Sequence, residues 1–275
     1  YFGGGTPSRL DNQAFGEIFE TLFSHFPIEE DAEITLEANP DDLSEEYIHL
    51  LRKLPFNRIS IGIQSFDDGE LKFLSRRHSA RQAIQAVKLC RQAGFENISI
   101  DLMYGLPGQT PGMWEKSLRQ ACELDVWHIS AYHLIYEKQT RLYALLQKGS
   151  VRPVTDEAST EMFSMLIDTL AQNGFEHYEI SNFAKSKKYS IHNTSYWKNE
   201  KYIGLGPSAH SYDGENRSWN IASLEKYITA IQSGELLQET EKLTFTQKYN
   251  EFILTGLRTM WGVDLNLLKE KFGQE

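Results

Sequence analysis

A recurring phrase constrains this chain more than any other feature: a phenylalanine stands shortly before a segment of alternating apolar residues. It occurs in "LPFNRISIGIQSF", "QAGFENISIDLMYGLP" and "AQNGFEHYEISNF", at Phe56, Phe95 and Phe175. Gly94 and Gly174 precede the last two, where a helix would end. Strand and helix patterns that alternate at a spacing of ~30–40 residues predict βα units around a parallel sheet.

The segments between these phrases carry helix-start signals. Ser79 heads one with Gln82 as its capping-box partner, Thr110-Pro111 heads the second and Thr155 heads the third. The connections favour an α/β barrel or half-barrel over a flat doubly wound sheet. We expect strands near residues 1–3, 33–38, 57–64, 97–103, 127–134 and 176–181.

The expected strands have one apolar and one polar face, because side chains alternate along a strand. Ile59, Ile61 and Ile63 share one face of "RISIGIQ", and the other face is Ser, Gly and Gln. A polar barrel interior without partners would be costly, so we expect it to bind something polar, or water. The candidate ligand groups stand late in their strands, as active-site residues of such barrels do. They are Glu37, Gln64 and Asp101.

Composition excludes several classes of protein. The 275 residues carry a net charge of −10, which argues against binding to nucleic-acid phosphates, and no segment is apolar enough to cross a membrane. Cys90 and Cys122 lie in expected helices and form no metal-binding cluster. We therefore expect two buried thiols in a reducing compartment and a cytoplasmic protein.

The glycine run in "YFGGGTPSRL" allows two interpretations. It lacks the lysine of a Walker A loop, and Ser8 breaks the dinucleotide fingerprint GxGxxG. The run is either a flexible turn or a strand end where a ligand contacts the bare backbone. Its place ahead of the other polar strand ends favours the second interpretation.

Several of these phrases together resemble one known family. "GGGTPS", "EITLEANP", "NRISIGIQSF", "LSRRHS" and "IDLMYGLPGQT", in this order, are similar to the radical S-adenosylmethionine (SAM) proteins of the oxygen-independent coproporphyrinogen III oxidase type. The resemblance covers nearly the whole chain. It implies a partial (β/α)6 barrel over residues 1–215, and a small, truncated helical domain over residues 216–275.

The resemblance also implies two cofactors, SAM and a 4Fe–4S cluster, and a set of SAM contacts. Glycine N–H groups and a guanidinium suit the carboxylate of SAM, and carboxylates suit its ammonium or its hydroxyls. The implied contacts are Gly3, Gly4, Gly5, Thr6, Glu37, Gln64, Arg76, Asp101, Ile135 and His210.

One departure from the family pattern concerns the cluster. The family's CxxxCxxC motif lies upstream of "GGGTP" and is absent here, and Cys90 and Cys122 have the wrong spacing to replace it. We therefore expect no metal ligands in this chain, and we interpret it as part of a longer protein whose cluster cysteines lie upstream.

A second motif distinguishes branches of the family. "HNTSYW" resembles the HNxxYW signature of the HemW-type haem chaperone branch. The resemblance implies that His192 ligates haem iron while Tyr196 and Trp197 stack on the macrocycle. The implied partners are porphyrin or haem and a haem-acceptor protein, with membrane contact only at the periphery, through the acceptor.

Three functions remain open at the level of sequence. The first is haem trafficking on a radical SAM scaffold, and the second is oxidative decarboxylation of coproporphyrinogen III. The third is a cluster-free barrel that binds a small polar metabolite. Whether the chain is an enzyme also stays open.

In the C-terminal part, an apolar stripe is expected to belong to the core. It comprises Phe252, Ile253, Leu257 and Met260.

Overall fold

The computed structural model describes residues 1–273, and they form two compact units. The first unit is Tyr1–Tyr189, and the second begins at Ser190. This division lies upstream of the domain boundary that was expected between residues 215 and 216. That boundary stays a prediction.

The first unit is a mixed α/β fold around a six-stranded sheet. Its elements in chain order are α1 (Asn12–His25), β1 (Thr35–Ala38), α2 (Glu45–Leu51), β2 (Arg58–Gln64), α3 (Asp68–Phe73), α4 (Ala80–Gln92), β3 (Asn97–Tyr104), α5 (Pro111–Glu123), β4 (His128–His133), α6 (Arg141–Gln147), α7 (Asp156–Gln172), β5 (Glu176–Glu179) and β6 (Asn182–Ala184).

Strands β1 to β4 are parallel and adjacent in the order of the chain. Ala38, Ile61, Ile100 and Ile129 pair in one row across them. All four are buried on the face that packs against the helices, as the alternation predicts. The carboxyl ends of these strands therefore meet along one edge, which is where the polar residues were expected.

Two of the expected strands differ from the prediction. Residues 1–3 contribute one parallel bridge, Phe2 to Leu36, because Gly4 and Gly5 then take positive φ angles that end the extended backbone. The segment 176–181 stops at Glu179 and turns back as β6, which lies antiparallel between β4 and β5. The Asn182 side chain donates to the Glu179 carboxylate across this turn, at 2.5 Å.

The helix starts follow their local signals. Ser79 and Gln82 form the capping box of α4, and the hydroxyls of Thr110 and Thr155 accept from the first turns of α5 and α7. Gly94 and Gly174 have φ angles of 90° and 79° just beyond α4 and α7, as a glycine at a helix end allows. The three recurring phenylalanines are all buried in the core.

The second unit mixes helices with a small antiparallel sheet. Its elements are α8 (Ile191–Trp197), β7 (His210–Tyr212), β8 (Asn216–Asn220), α9 (Leu224–Gln232), β9 (Gln238–Lys242), α10 (Phe245–Leu257) and α11 (Leu265–Phe272). The part after residue 215 is helical as expected, with α9, α10 and α11, and it also contains β8 and β9. The residues of β9 are all exposed and therefore show no apolar alternation. Leu257 and Met260 of the expected core stripe are exposed as well.

None of the helices described over residues 1–273 is both long and apolar enough to cross a lipid bilayer.

Candidate functional site

A polar cavity of about 180 Å³ lies at the carboxyl ends of β1, β2 and β3. It unites six of the residues expected to bind a ligand, which are Gly5, Thr6, Glu37, Gln64, Arg76 and Asp101. It also takes in Asn39, Ser60 and Gly62, which the sequence interpretation had not named as site residues. Ser60 and Gly62 alternate with the buried isoleucines of β2, so their position on the polar face was the available signal.

The glycine run approaches the cavity through Glu37. The Gly4 N–H donates to Glu37 Oε2 at 3.2 Å, and the Tyr1 hydroxyl donates to Glu37 Oε1 at 2.5 Å. A Cβ placed on Gly3 would come within 2.9 Å of the Glu37 carboxylate. The bare backbone at Gly3 and Gly4 therefore lets the chain lie directly against this carboxylate, and contact between the glycine run and a ligand stays a prediction.

Arg76 lines the cavity and contacts Gly62. Its Nη2 donates to the Gly62 carbonyl at 2.9 Å, and a Cβ on Gly62 would lie 2.9 Å from the same nitrogen. Arg76 Nε is buried without a hydrogen-bond partner, and burial lowers the pKa of the guanidinium. A buried cationic donor without a partner is costly, so this nitrogen favours an acceptor from a bound ligand.

Gln64 reaches the cavity through an unusual backbone turn. Its φ angle is +69°, and the Ser65 N–H donates to the Ile63 carbonyl at 2.9 Å, which makes Gln64 the centre of a γ-turn. The pairing of β2 with β3 shifts register between Ile61 and Gln64. Plain alternation therefore predicted the correct side for Gln64, although the strand is no longer regular there. Positive φ at a side-chain-bearing residue is rare and strained.

Asp101 stands on β3 beside the carboxylate of Glu37. Burial raises its pKa to about 6, and the negative charge of Glu37 adds to the rise. Arg58 and hydrogen bonds from Ser130 and Ser60 oppose it, with Ser60 Oγ 3.4 Å from Asp101 Oδ1. Two neighbouring carboxylates in a partly enclosed cavity suit a ligand that brings positive charge or hydroxyl donors.

At the neighbouring ends of β3 and β4, the backbone of Gly105 lies close to the ring of His133. Gly105 follows β3 with a φ angle of +73°, and a Cβ there would collide with the ring of His133 at the end of β4. The His133 ring lies edge-on to Tyr104 and contacts the Ser159 hydroxyl at 2.8 Å. The ends of these two strands are therefore fitted to each other.

Four of the expected SAM contacts are not among the residues that line the cavity within the described chain: Gly3, Gly4, Ile135 and His210. Ile135 follows the end of β4 and is 72% exposed. His210 begins β7 in the second unit, where its ring stacks on Trp219 at a centroid distance of 5.9 Å. Their roles stay predictions.

The "HNTSYW" motif forms α8 in the second unit. Ser190 caps the helix by accepting from the Asn193 N–H at 3.2 Å. His192 and Tyr196 are one turn apart, so their rings meet edge-on at 4.9 Å, and Tyr196 meets Tyr202 at 4.8 Å. Arg258 stacks over the Trp197 ring at 4.5 Å. The motif thus presents a histidine within a row of aromatic rings.

The cysteines take the structural positions that were expected. Cys90 is buried in α4, where burial raises its pKa to about 12, and Cys122 is partly buried in α5. Residues 1–273 contain no group of three or more His, Cys, Asp or Glu side chains placed to hold a metal ion. The side chains present therefore do not fit an iron–sulfur cluster.

Comparison with known proteins places this fold and its polar rim in a wider class. The sequence model that defines the Radical SAM superfamily matches residues 1–121 of this chain. Coproporphyrinogen III oxidase (HemN) from Escherichia coli, described as a radical SAM enzyme, superimposes with a TM-score of 0.83 at 22% identity. That match covers 99% of this chain and 65% of the enzyme, and it shows the shared fold.

Curated relatives narrow the class. "Heme chaperone HemW" of Bacillus subtilis is 38% identical over 100% of this chain and 73% of its own length. The protein of the same name from Lactococcus lactis is 37% identical over 99% of this chain and 72% of its own length. The chain therefore belongs to the HemW family of radical SAM proteins. This outcome confirms the branch expected from "HNTSYW" and favours it over the oxidase branch.

Proposed function

We propose that this chain binds SAM in the cavity at the ends of β1–β3 and serves haem trafficking as part of a HemW-type chaperone. The observation that carries the first half is the cavity itself, which gathers Glu37, Gln64, Arg76 and Asp101 from separate segments around one hollow. The family assignment supports the second half. The chain spans about three quarters of the curated relatives, so the activity of the whole protein is part of the proposal.

The cavity fits the polar groups of SAM. The buried Nε of Arg76 and the backbone N–H of Gly5, which lines the cavity, would receive the carboxylate of the ligand. Glu37 and Asp101 would accept from its ammonium or its ribose hydroxyls. Gln64 can both donate and accept, which suits an adenine edge or a hydroxyl.

Haem is assigned to the second unit. His192 would supply an axial nitrogen to the iron, and the Tyr196 and Trp197 rings would pack on the macrocycle. The relatives named as heme chaperones support this assignment, together with the row of rings from His192 through Tyr196 to Tyr202. We further propose a cytoplasmic protein that passes haem to an acceptor protein.

The iron–sulfur cluster that is typical of radical SAM proteins receives no role in this proposal. Cys90 and Cys122 lie in α4 and α5, and the described part of the chain offers no ligand set for a cluster.

Haem titration tests the chaperone half. We expect the complete protein to take up haem with a shifted Soret band, and His192→Ala to weaken uptake about tenfold or more, because an axial ligand is lost. His49→Ala is the matched control, since His49 is exposed on α2 in the first unit. Haem affinity that is equal in both variants would contradict the assignment of His192.

A second measurement separates the chaperone from the oxidase. The complete protein, incubated anaerobically with SAM and coproporphyrinogen III, is expected to leave the substrate unchanged. Formation of protoporphyrinogen would contradict the chaperone proposal and favour the alternative branch of the fold.

A further inference from the structure

The γ-turn at Gln64 needs support from outside its own backbone. It combines a positive φ angle, an irregular strand end and a side chain that must face the cavity. Such strained conformations persist only where the surrounding structure determines them. The candidate for that support is a buried polar cluster directly behind the turn.

Glu70 is the centre of this cluster. Ser65, the residue after Gln64, donates its hydroxyl to Glu70 Oε2, and its oxygen also accepts from the Asp67 N–H at 2.9 Å. The other oxygen, Glu70 Oε1, accepts from Gln109 Nε2 at 2.9 Å. One carboxylate on α3 thus holds the turn after β2 and a residue that lies beyond β3.

Gln109 extends the connection to the next strand. Its Oε1 accepts from the Gly105 N–H at 2.7 Å and from the Leu106 N–H at 3.4 Å, directly after β3. Both its side chain and that of Glu70 are buried, at 5% and 7% exposure. We call Ser65, Glu70 and Gln109 the clasp, because together they tie the ends of β2 and β3.

Burying a carboxylate is unfavourable, and burial raises the pKa of Glu70. An apolar residue would avoid that penalty but would leave the Ser65 hydroxyl and the buried Gln109 amide without this acceptor. The two oxygens are used to join one loop to the other. The benefit that we identify is a fixed geometry at the cavity rim.

We propose that Glu70 is a positioning residue for SAM binding: through the clasp it holds Gln64 in the left-handed turn that directs its side chain into the cavity. The inference rests on the proposed function of that cavity. A second contact acts on the same turn: His78 Nε2 lies 3.0 Å from the carbonyl oxygen of Ile63, the residue before Gln64. This contact would help the clasp to hold the turn.

Equilibrium dialysis of labelled SAM against the complete protein tests this proposal. Glu70→Ala removes both links of the clasp, and we expect SAM to bind about tenfold more weakly. Glu70→Gln keeps both, because its amide can accept from Gln109 and donate to Ser65, so we expect affinity near that of the wild type. Ser99→Ala is the matched control, since it removes a buried 2.7 Å contact to His128 elsewhere on β3.

A double-mutant cycle separates positioning from general destabilisation. If Glu70 acts through Gln64, Glu70→Ala will not weaken SAM binding further once Gln64→Ala is present. Full additivity of the two effects would overturn the proposal, as would an affinity loss in Ser99→Ala equal to that in Glu70→Ala. Absence of SAM binding by the wild type overturns the cavity's proposed function. Wild-type binding that Glu70→Ala leaves unchanged overturns the clasp alone.

Discussion

Asp101 shows how a residue that lines the cavity can work against the stability of its own fold. The carboxylate is held beside Glu37 in a partly enclosed cavity, and both burial and that neighbour raise its pKa to about 6. An unfolded chain would release this proton near the ordinary value of 3.8. The ionised form is therefore less favourable in the folded state than in the unfolded one.

This difference makes stability depend on pH. Between about pH 4 and pH 6 the folded state binds more protons than the unfolded state, so the contribution of Asp101 becomes less favourable as the pH rises through that window. We expect Asp101→Asn to raise the free energy of unfolding by about 3 kcal/mol at pH 7 and by almost nothing below pH 4. Urea denaturation at both pH values measures it.

The control for this prediction is Asp31→Asn, at an exposed position before β1. A stability gain from Asp101→Asn that is the same at both pH values would show that its cause is packing and not ionisation. Asp101→Asn should also bind SAM more weakly, since an acceptor for the ammonium or the hydroxyls of SAM is lost.

At the scale of single elements, the effect of a glycine on stability depends on its place in or beyond a helix. Gly16 lies inside α1, and a Cβ there would meet no atom within 4 Å. Glycine in a helix interior costs conformational entropy, so we expect Gly16→Ala to raise the free energy of unfolding by about 0.5–1 kcal/mol. Chemical denaturation of the purified protein measures the change.

Gly94 provides the opposite case in the same fold. A Cβ on Gly94 would also meet no atom within 4 Å, yet the φ angle of this residue is +90° beyond the end of α4. We expect Gly94→Ala to destabilise the protein by about 1 kcal/mol, because alanine is strained in that region. If both alanine variants changed stability in the same direction, backbone conformation would not be the cause.

These elements also show what sequence could and could not predict. The starts of α4, α5 and α7 were predictable because capping depends on residues within one turn, such as Ser79 and Gln82. Strand β6 was missed because its place in the sheet depends on pairing with β4, which is far away in the chain. Strand β9 was missed because its exposed residues show no apolar alternation. The cavity could be predicted in outline from strand alternation, whereas the link from Glu70 to Gln109 spans 39 positions and has no local signal.

For the molecule as a whole, the structure predicts a gradient of local stability. Strand β3 is paired on both sides within the six-stranded sheet and lies in the buried core. Strand β9 is paired to β8, lies at the edge of the small sheet and is exposed along its length. Regions with few buried contacts open most readily.

Hydrogen–deuterium exchange read by mass spectrometry tests this gradient. We expect peptides from residues 97–104 to exchange last and peptides from residues 238–242 to exchange among the first, since the former open only with the whole unit. Equal protection in the two segments would contradict this description of the sheets. Addition of SAM should slow exchange in residues 62–66, where the γ-turn lies, if the cavity binds it.

The fit between Gly105 and the ring of His133 restricts how this rim can change over time. Any side chain at position 105 would occupy the volume of the imidazole, so Gly105 cannot change while His133 stays in place. A descendant that loses this glycine must already carry a smaller residue at 133, and its new residue at 105 must still adopt the positive φ angle of 73°. The order of the two substitutions is therefore fixed, with position 133 changing first.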